Sequence, residues 1–180
     1  MVGTRRTSRS HLGTFRRKRA GDPAAAAAKA HDPEAARATA VYLLARRDFA
    51  SGELGQKLGS QGYDAAVAAA VVAELVEERL LDDARYAENY VAYHAGRGQG
   101  PLRIGADLRS LGVPATLVDA ALDAGPDWRQ LARTIRIRKF GEIPAEDWTE
   151  KTRQARFLQY RGFSSDHIRT ATGADFDPDS

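Results

Sequence analysis

A chain of 180 residues, 43% hydrophobic and 28% charged, has enough apolar mass for a core and the length of one or two ordinary domains or of a stack of repeats. It contains no cysteine, which removes disulfide frameworks, thiolate metal sites and cysteine nucleophiles and fits an intracellular protein. No apolar run approaches the roughly 18 residues of a membrane span, and the Arg-rich start lacks the apolar segment of a secretory signal, so a soluble cytoplasmic protein is expected. The net charge of +3 is unevenly spread: residues 1–19 carry +7, residues 20–96 carry −5, residues 97–161 carry +4 and residues 162–180 carry −3. The basic start and the basic middle are therefore the candidate surfaces for a polyanion.

In chain order, residues 1–31 combine Arg, Ser, Gly and Thr with an alanine run and show no amphipathic period, so a disordered basic N-terminal arm is expected there. Its cations Arg5, Arg6, Arg9, Arg16, Arg17, Lys18 and Arg19 suit accessory DNA binding. Asp32-Pro33 reads as an N-cap followed by proline in the first helical position, opening a helix with Ala36, Ala40, Val41 and Leu44 on one face. Ser51 is the expected cap of a second helix carrying Leu54 and Leu58, and Asp64 caps a third with Val67, Val71, Val72, Leu75 and Val76 at helical spacing. Residues 32–78 thus form one three-helix unit.

The plan recurs over residues 79–125. Asp82 or Asp83 caps a helix bearing Tyr86, Ala87, Tyr90, Val91 and His94; Gly96–Pro101 reads as a hinge; Pro101 starts a helix with Ile104, Leu108 and Leu111 inward; and Pro114 begins the third. Over residues 126–172 it recurs again, with a helix from about Asp127 to Phe140, a longer loop through Gly141 and Pro144, a helix ending before Gly162 and a short one around Ile168. An acidic tail, residues 173–180, closes the chain.

Gly62, Gly112 and Gly162 fall 50 residues apart, each preceded by Leu at the fourth position back and followed by an apolar residue. That is the pattern of a helix stopped by a left-handed glycine, and its period is that of a helical repeat. The fold expected is all-α, with three tandem three-helix repeats in an elongated, curved array that offers an extended binding surface. The third copy departs most: His167 replaces an apolar residue, and Gln154 stands where Leu54 and Ile104 stand.

Catalytic chemistry finds little support. His11, His31, His94 and His167 are scattered, the Glu77, Glu78, Asp82, Asp83 group is better read as an exposed helix end followed by a cap, and Gly96–Gly100 has no strand before it and no Gly-Lys-Ser/Thr after it. No cofactor, metal site or catalytic residue is expected. The cations are more informative. Arg129, Arg133 and Arg136 recur at i, i+4 and i+7, opposite Leu131 and Ile135; Arg153, Arg156 and Tyr160 share a stripe away from Leu158; and Arg103 and Arg109 lie on the outer half of the Pro101 helix. Guanidinium groups fit phosphate and carboxylate, and a neighbouring tyrosine can stack on a base. A helix-turn-helix reader of DNA is disfavoured, because the helix after each glycine is Ala/Val-rich or short and is not basic outward.

Leu43–Phe49 followed by Glu53-Leu54 and Leu58–Tyr63, then Leu80–Ala87, then Gly100–Ile104 with Leu108–Gly112, and finally Lys139–Gly141, Lys151, Arg156–Leu158 and Gly162–Ser164 together resemble the RecX family, regulators of the bacterial recombinase RecA. The resemblance runs from about Ala36 to Thr170. It implies a non-enzymatic protein of tandem three-helix units that lodges in the groove of the RecA–DNA filament and limits its growth, its ATP hydrolysis, strand exchange and the co-protease action that triggers the SOS response. The contacts expected are Arg97, Arg103, Arg109, Arg129, Arg133, Arg136, Lys139, Lys151, Arg153, Arg156 and Tyr160, in a monomer that meets DNA weakly or through RecA and has no membrane partner. The alternative is a non-specific nucleic-acid binder acting through the basic arm. The long arm and His167 depart from the family pattern.

Overall fold

Each repeated Leu-to-Gly segment closes its helix by the same set of bonds in the computed structural model, which describes residues 23–173. The amides of Tyr63, Val113 and Phe163 return to the carbonyls of Leu58, Leu108 and Leu158 at 3.2–3.3 Å, and the glycine between them takes φ of 94°, 83° and 87° at Gly62, Gly112 and Gly162. This bond from the second residue past the helix end to its last turn explains the spacing: the leucine and the apolar residue are its hydrophobic pair, and glycine alone occupies the left-handed position without steric cost. All six apolar residues are buried.

The described residues form ten helices and no strand: α1 (Pro23–Ala30), α2 (Pro33–Leu44), α3 (Ser51–Ser60), α4 (Ala65–Glu77), α5 (Asp83–Gly96), α6 (Pro101–Ser110), α7 (Ala115–Asp123), α8 (Trp128–Phe140), α9 (Trp148–Tyr160) and α10 (Ser165–Thr172). The helix starts follow cap chemistry. Asp32, Asp64, Asp82, Asp127, Asp147 and Ser164 each accept an amide of the first turn, a contact worth about 1 kcal/mol. Packing is strongest inside the triplets α2–α4, α5–α7 and α8–α10. The core divides in the same way: Leu54, Leu58, Val71 and Leu75 centre the first cluster, Val91, Ile104, Leu108 and Val118 the second, and Ile135, Leu158, Phe163 and Ile168 the third. Ala50 packs in the second cluster, and Leu131 touches both the second and the third, so neighbouring units share core residues.

Four local expectations change. Helix α1 occupies part of the segment assigned to the arm; its Lys29 donates to the Gln61 carbonyl at 3.3 Å and lies over the Tyr63 ring, and Ala30 accepts the Asp64 amide, so α1 is tied to the first glycine turn. Val41 and Val76 are exposed, and Leu43 packs on the core in place of Val41. Ser51 is not a cap: Ala50 holds that position, and the Ser51 amide and hydroxyl both donate to the Asp83 carboxylate of the next unit. The Gly96–Pro101 segment is a fixed joint and not a hinge, because Gly98 and Gly100 are buried, Gly98 against Ile135 and Arg161 and Gly100 against Gly162. The arm cations Arg5 to Arg19 and the acidic tail after Gly173 lie outside the described residues.

Candidate binding surface

The cations of the second and third units fall into three groups. Arg109, Arg129 and Arg153 are neutralised by Asp119 at 2.6 Å, Asp166 at 2.6 Å and Glu150 at 3.1 Å. Asp166 also accepts from Arg169; the hydrogen bond from Arg129, and after it that from Arg169, holds its carboxyl below the ordinary value. Arg136 does not join the outer stripe. It is 4% exposed, its guanidinium donating to the carbonyls of Glu142 at 3.3 Å and Ile143 at 3.5 Å. The stripe fails at its third member because the loop after α8 folds back over that face, which a helical-wheel reading of α8 alone does not anticipate.

Among the described residues, Arg97, Arg103, Arg133, Lys139, Lys151 and Arg156 have no ion-pair partner. Arg97, Arg103, Arg133, Lys139 and Arg156 are exposed and Lys151 is half-buried. Arg138, which the spacing did not single out, belongs with them. Such cations keep their full charge available for a ligand.

Of these, Arg97 is connected across the joint between the second and third units. Arg161 donates to the carbonyls of Arg97 at 3.2 Å and Gly98 at 3.3 Å and lies over the Phe157 ring at 4.9 Å. Phe157 meets Phe140 edge-on at 5.3 Å, and Arg153 covers Phe140 at 5.5 Å. On the other side Arg97 lies over Tyr93 and donates to its hydroxyl at 2.7 Å. The result is a strip of arginine and aromatic side chains from Arg153 through Phe140, Phe157 and Arg161 to the Arg97 backbone and Tyr93. Arg161 was missed because it immediately precedes a glycine stop; its signal was the i, i+4 spacing from Phe157, which Tyr93–Arg97 and Tyr42–Arg46 repeat. Beside the same joint, Arg103 and Tyr160, the latter 83% exposed, line a cleft of about 350 Å³.

Stacked guanidinium and aromatic planes bind phosphates, carboxylates and flat rings; they supply no nucleophile and no proton-transfer group. The described residues include no group of three or more potential metal ligands and no helix long and apolar enough to cross a membrane. Tandem three-helix units joined in this way define a helical-repeat protein. Models of the first, second and third three-helix domains of RecX match residues 36–75, 82–122 and 127–172, and the chain belongs to the RecX family. It is 46% identical over 142 residues to the regulatory protein RecX of Halorhodospira halophila, covering 78% of this chain and 88% of that one, and 41% identical over 133 residues to that of Vibrio campbellii, covering 73% and 86%. Two solved structures share the fold at a TM-score of 0.67: RecX from Lactobacillus salivarius, at 20% identity over 77% of this chain and 93% of that one, and a second regulatory protein RecX, at 22% identity over 84% and 76%.

Proposed function

We propose that this chain is a non-catalytic negative regulator of RecA, acting as a cytoplasmic monomer that binds in the groove of the RecA–DNA filament and limits its growth, ATP hydrolysis, strand exchange and co-protease activity. The observation that carries the binding mode is the strip across the joint of the second and third units, where the guanidinium groups of Arg153, Arg161 and Arg97 lie beside aromatic rings. A nucleoprotein groove presents phosphate and acidic side chains, and the strip is complementary to both. Arg103, Arg133, Lys139, Lys151, Arg156 and Tyr160 extend the candidate contact surface; Arg109 and Arg129 are held by carboxylates and Arg136 is buried, so they contribute less.

The test is RecA's DNA-dependent ATPase with substoichiometric amounts of the protein. Inhibition is expected, and Arg97→Ala/Arg156→Ala is expected to weaken it about tenfold or more, as loss of two charge-assisted contacts does. Full ATPase activity at equimolar protein would exclude the reading. The charge of +7 over residues 1–19 favours a second reading, non-specific nucleic-acid binding through the arm. Under it, removing residues 1–22 abolishes both DNA binding and any effect on RecA; under the first, the shortened chain still inhibits.

A further inference from the structure

The third unit has a second surface opposite in character to its cations. Residues 141–150, the loop between α8 and α9 with the start of α9, hold four carboxylates and no cation, within a segment whose balance is otherwise basic. Glu142 and Glu146 have no ion-pair partner among the described residues, although Arg133, Arg138 and Lys139 of the same unit are also unpaired. Between and beside these acids stand two large apolar side chains left in water: Ile143, 84% exposed, and Trp148, 61% exposed.

The loop is also held from beneath. Buried Arg136 binds the carbonyls of Glu142 and Ile143, so the backbone polar groups face inward while the Ile143 side chain faces solvent, and Asp147 caps α9 directly before Trp148. Anchoring from below lowers the ordering cost of binding, and an aromatic with an aliphatic neighbour is the composition of an interface hot spot.

We propose that residues 142–148 are a protein-docking loop, Ile143 and Trp148 entering an apolar cleft whose rim carries Lys or Arg. The rim charge follows from the unpaired Glu142 and Glu146; the same carboxylates repel phosphate, so this surface addresses protein while the guanidinium strip addresses polyanion. For its partner the inference rests on the function proposed above: the cleft belongs to the protein component of the filament.

The experiment measures binding of the full chain to RecA filaments assembled on poly(dT), at about 0.3 M salt, where surface charges are screened over a few ångströms. Ile143→Ser/Trp148→Ser replaces two exposed side chains and is expected to lose filament affinity at least about tenfold while binding naked poly(dT) as wild type does. Glu142→Lys/Glu146→Lys is expected to weaken filament binding, most strongly at low salt. Wild-type affinity in the Ser variant, an equal loss on naked poly(dT), or unchanged or tighter filament binding by the Lys variant would each overturn the docking loop and leave the proposed function standing. Absence of wild-type binding to the filament would overturn both.

Discussion

Gly62 and Gly162 share a backbone angle and differ in what surrounds them. A Cβ at Gly62 meets nothing within 4 Å, whereas one at Gly162 would lie 2.4 Å from the Arg103 Cβ and 2.7 Å from its amide nitrogen, and one at Gly112 would lie 2.8 Å from the Gly52 Cα. Gly62→Ala therefore costs only the left-handed conformation, about 1 kcal/mol. Gly162→Ala adds a backbone collision that no rotamer relieves, for a total of roughly 3 kcal/mol or more. Urea unfolding of the two variants checks this, and equal losses would contradict it. The difference has a structural meaning: Gly62 only ends a helix, while Gly112 and Gly162 also bring each unit against the start of the middle helix of the unit before it.

At the scale of the element, α10 is a short helix whose first turn depends on a capping box. The Ser164 hydroxyl accepts the His167 amide, and the His167 Nδ1 accepts the Ser164 amide, which only the neutral ring with its proton on Nε2 can do. Burial, outweighing the attraction of Asp166, holds the imidazole below its ordinary value of 6.5. The unfolded chain then binds a proton that the folded chain refuses, so this contribution is complete above pH 6.5 and is lost as pH falls from there towards the folded value. Asp166 acts in a different range, because its lowered carboxyl, ordinarily 3.8, keeps its contribution until stronger acid. Thermal melts between pH 7.5 and 5.5 are expected to show a falling midpoint whose slope is reduced in His167→Gln; an unchanged slope would contradict the assignment. The departure at position 167 was readable in the register, and its role was not, since the ring answers an amide three residues away that only the folded turn presents. Aspartate caps and glycine stops were readable because their chemistry is local. Ser51 was misread because its acceptor, Asp83, lies 32 residues on in the next unit, and Arg136 because the loop over it is placed by tertiary packing. The fold, carried by local signals, was thus more legible than the binding surface, which depends on contacts between units.

For the whole molecule the question is what makes three small cores one cooperative body. No unit has a disulfide, and a core of this size is marginal alone, so stability in such an array is the sum of the units and the joints between them. The two joints use the same register with different chemistry. In the first, Gly52 lies against Gly112, and Asp83 satisfies the free amide and hydroxyl of Ser51. In the second, Pro101 stands where Ser51 stood and has no amide to satisfy, while the Gly100 and Leu102 amides donate to the Arg161 and Gly162 carbonyls at 2.7 and 3.0 Å, and the Arg161 side chain reaches back to Arg97 and Gly98. Removing a carboxylate that accepts two half-buried donors costs about 1–2 kcal/mol, so Asp83→Ala is expected to lower protection of the Ser51 amide from hydrogen exchange and the melting temperature together. Arg161→Ala acts on the other joint. It removes two charge-assisted bonds that couple the third unit to the second, together with the contact on Phe157 within the third unit. Calorimetry should then resolve a single wild-type transition into two, the third unit melting first, with inhibition of the RecA ATPase weakened because the strip that spans the joint loses its alignment. A single transition merely displaced in temperature would show that the units are coupled by something other than Arg161.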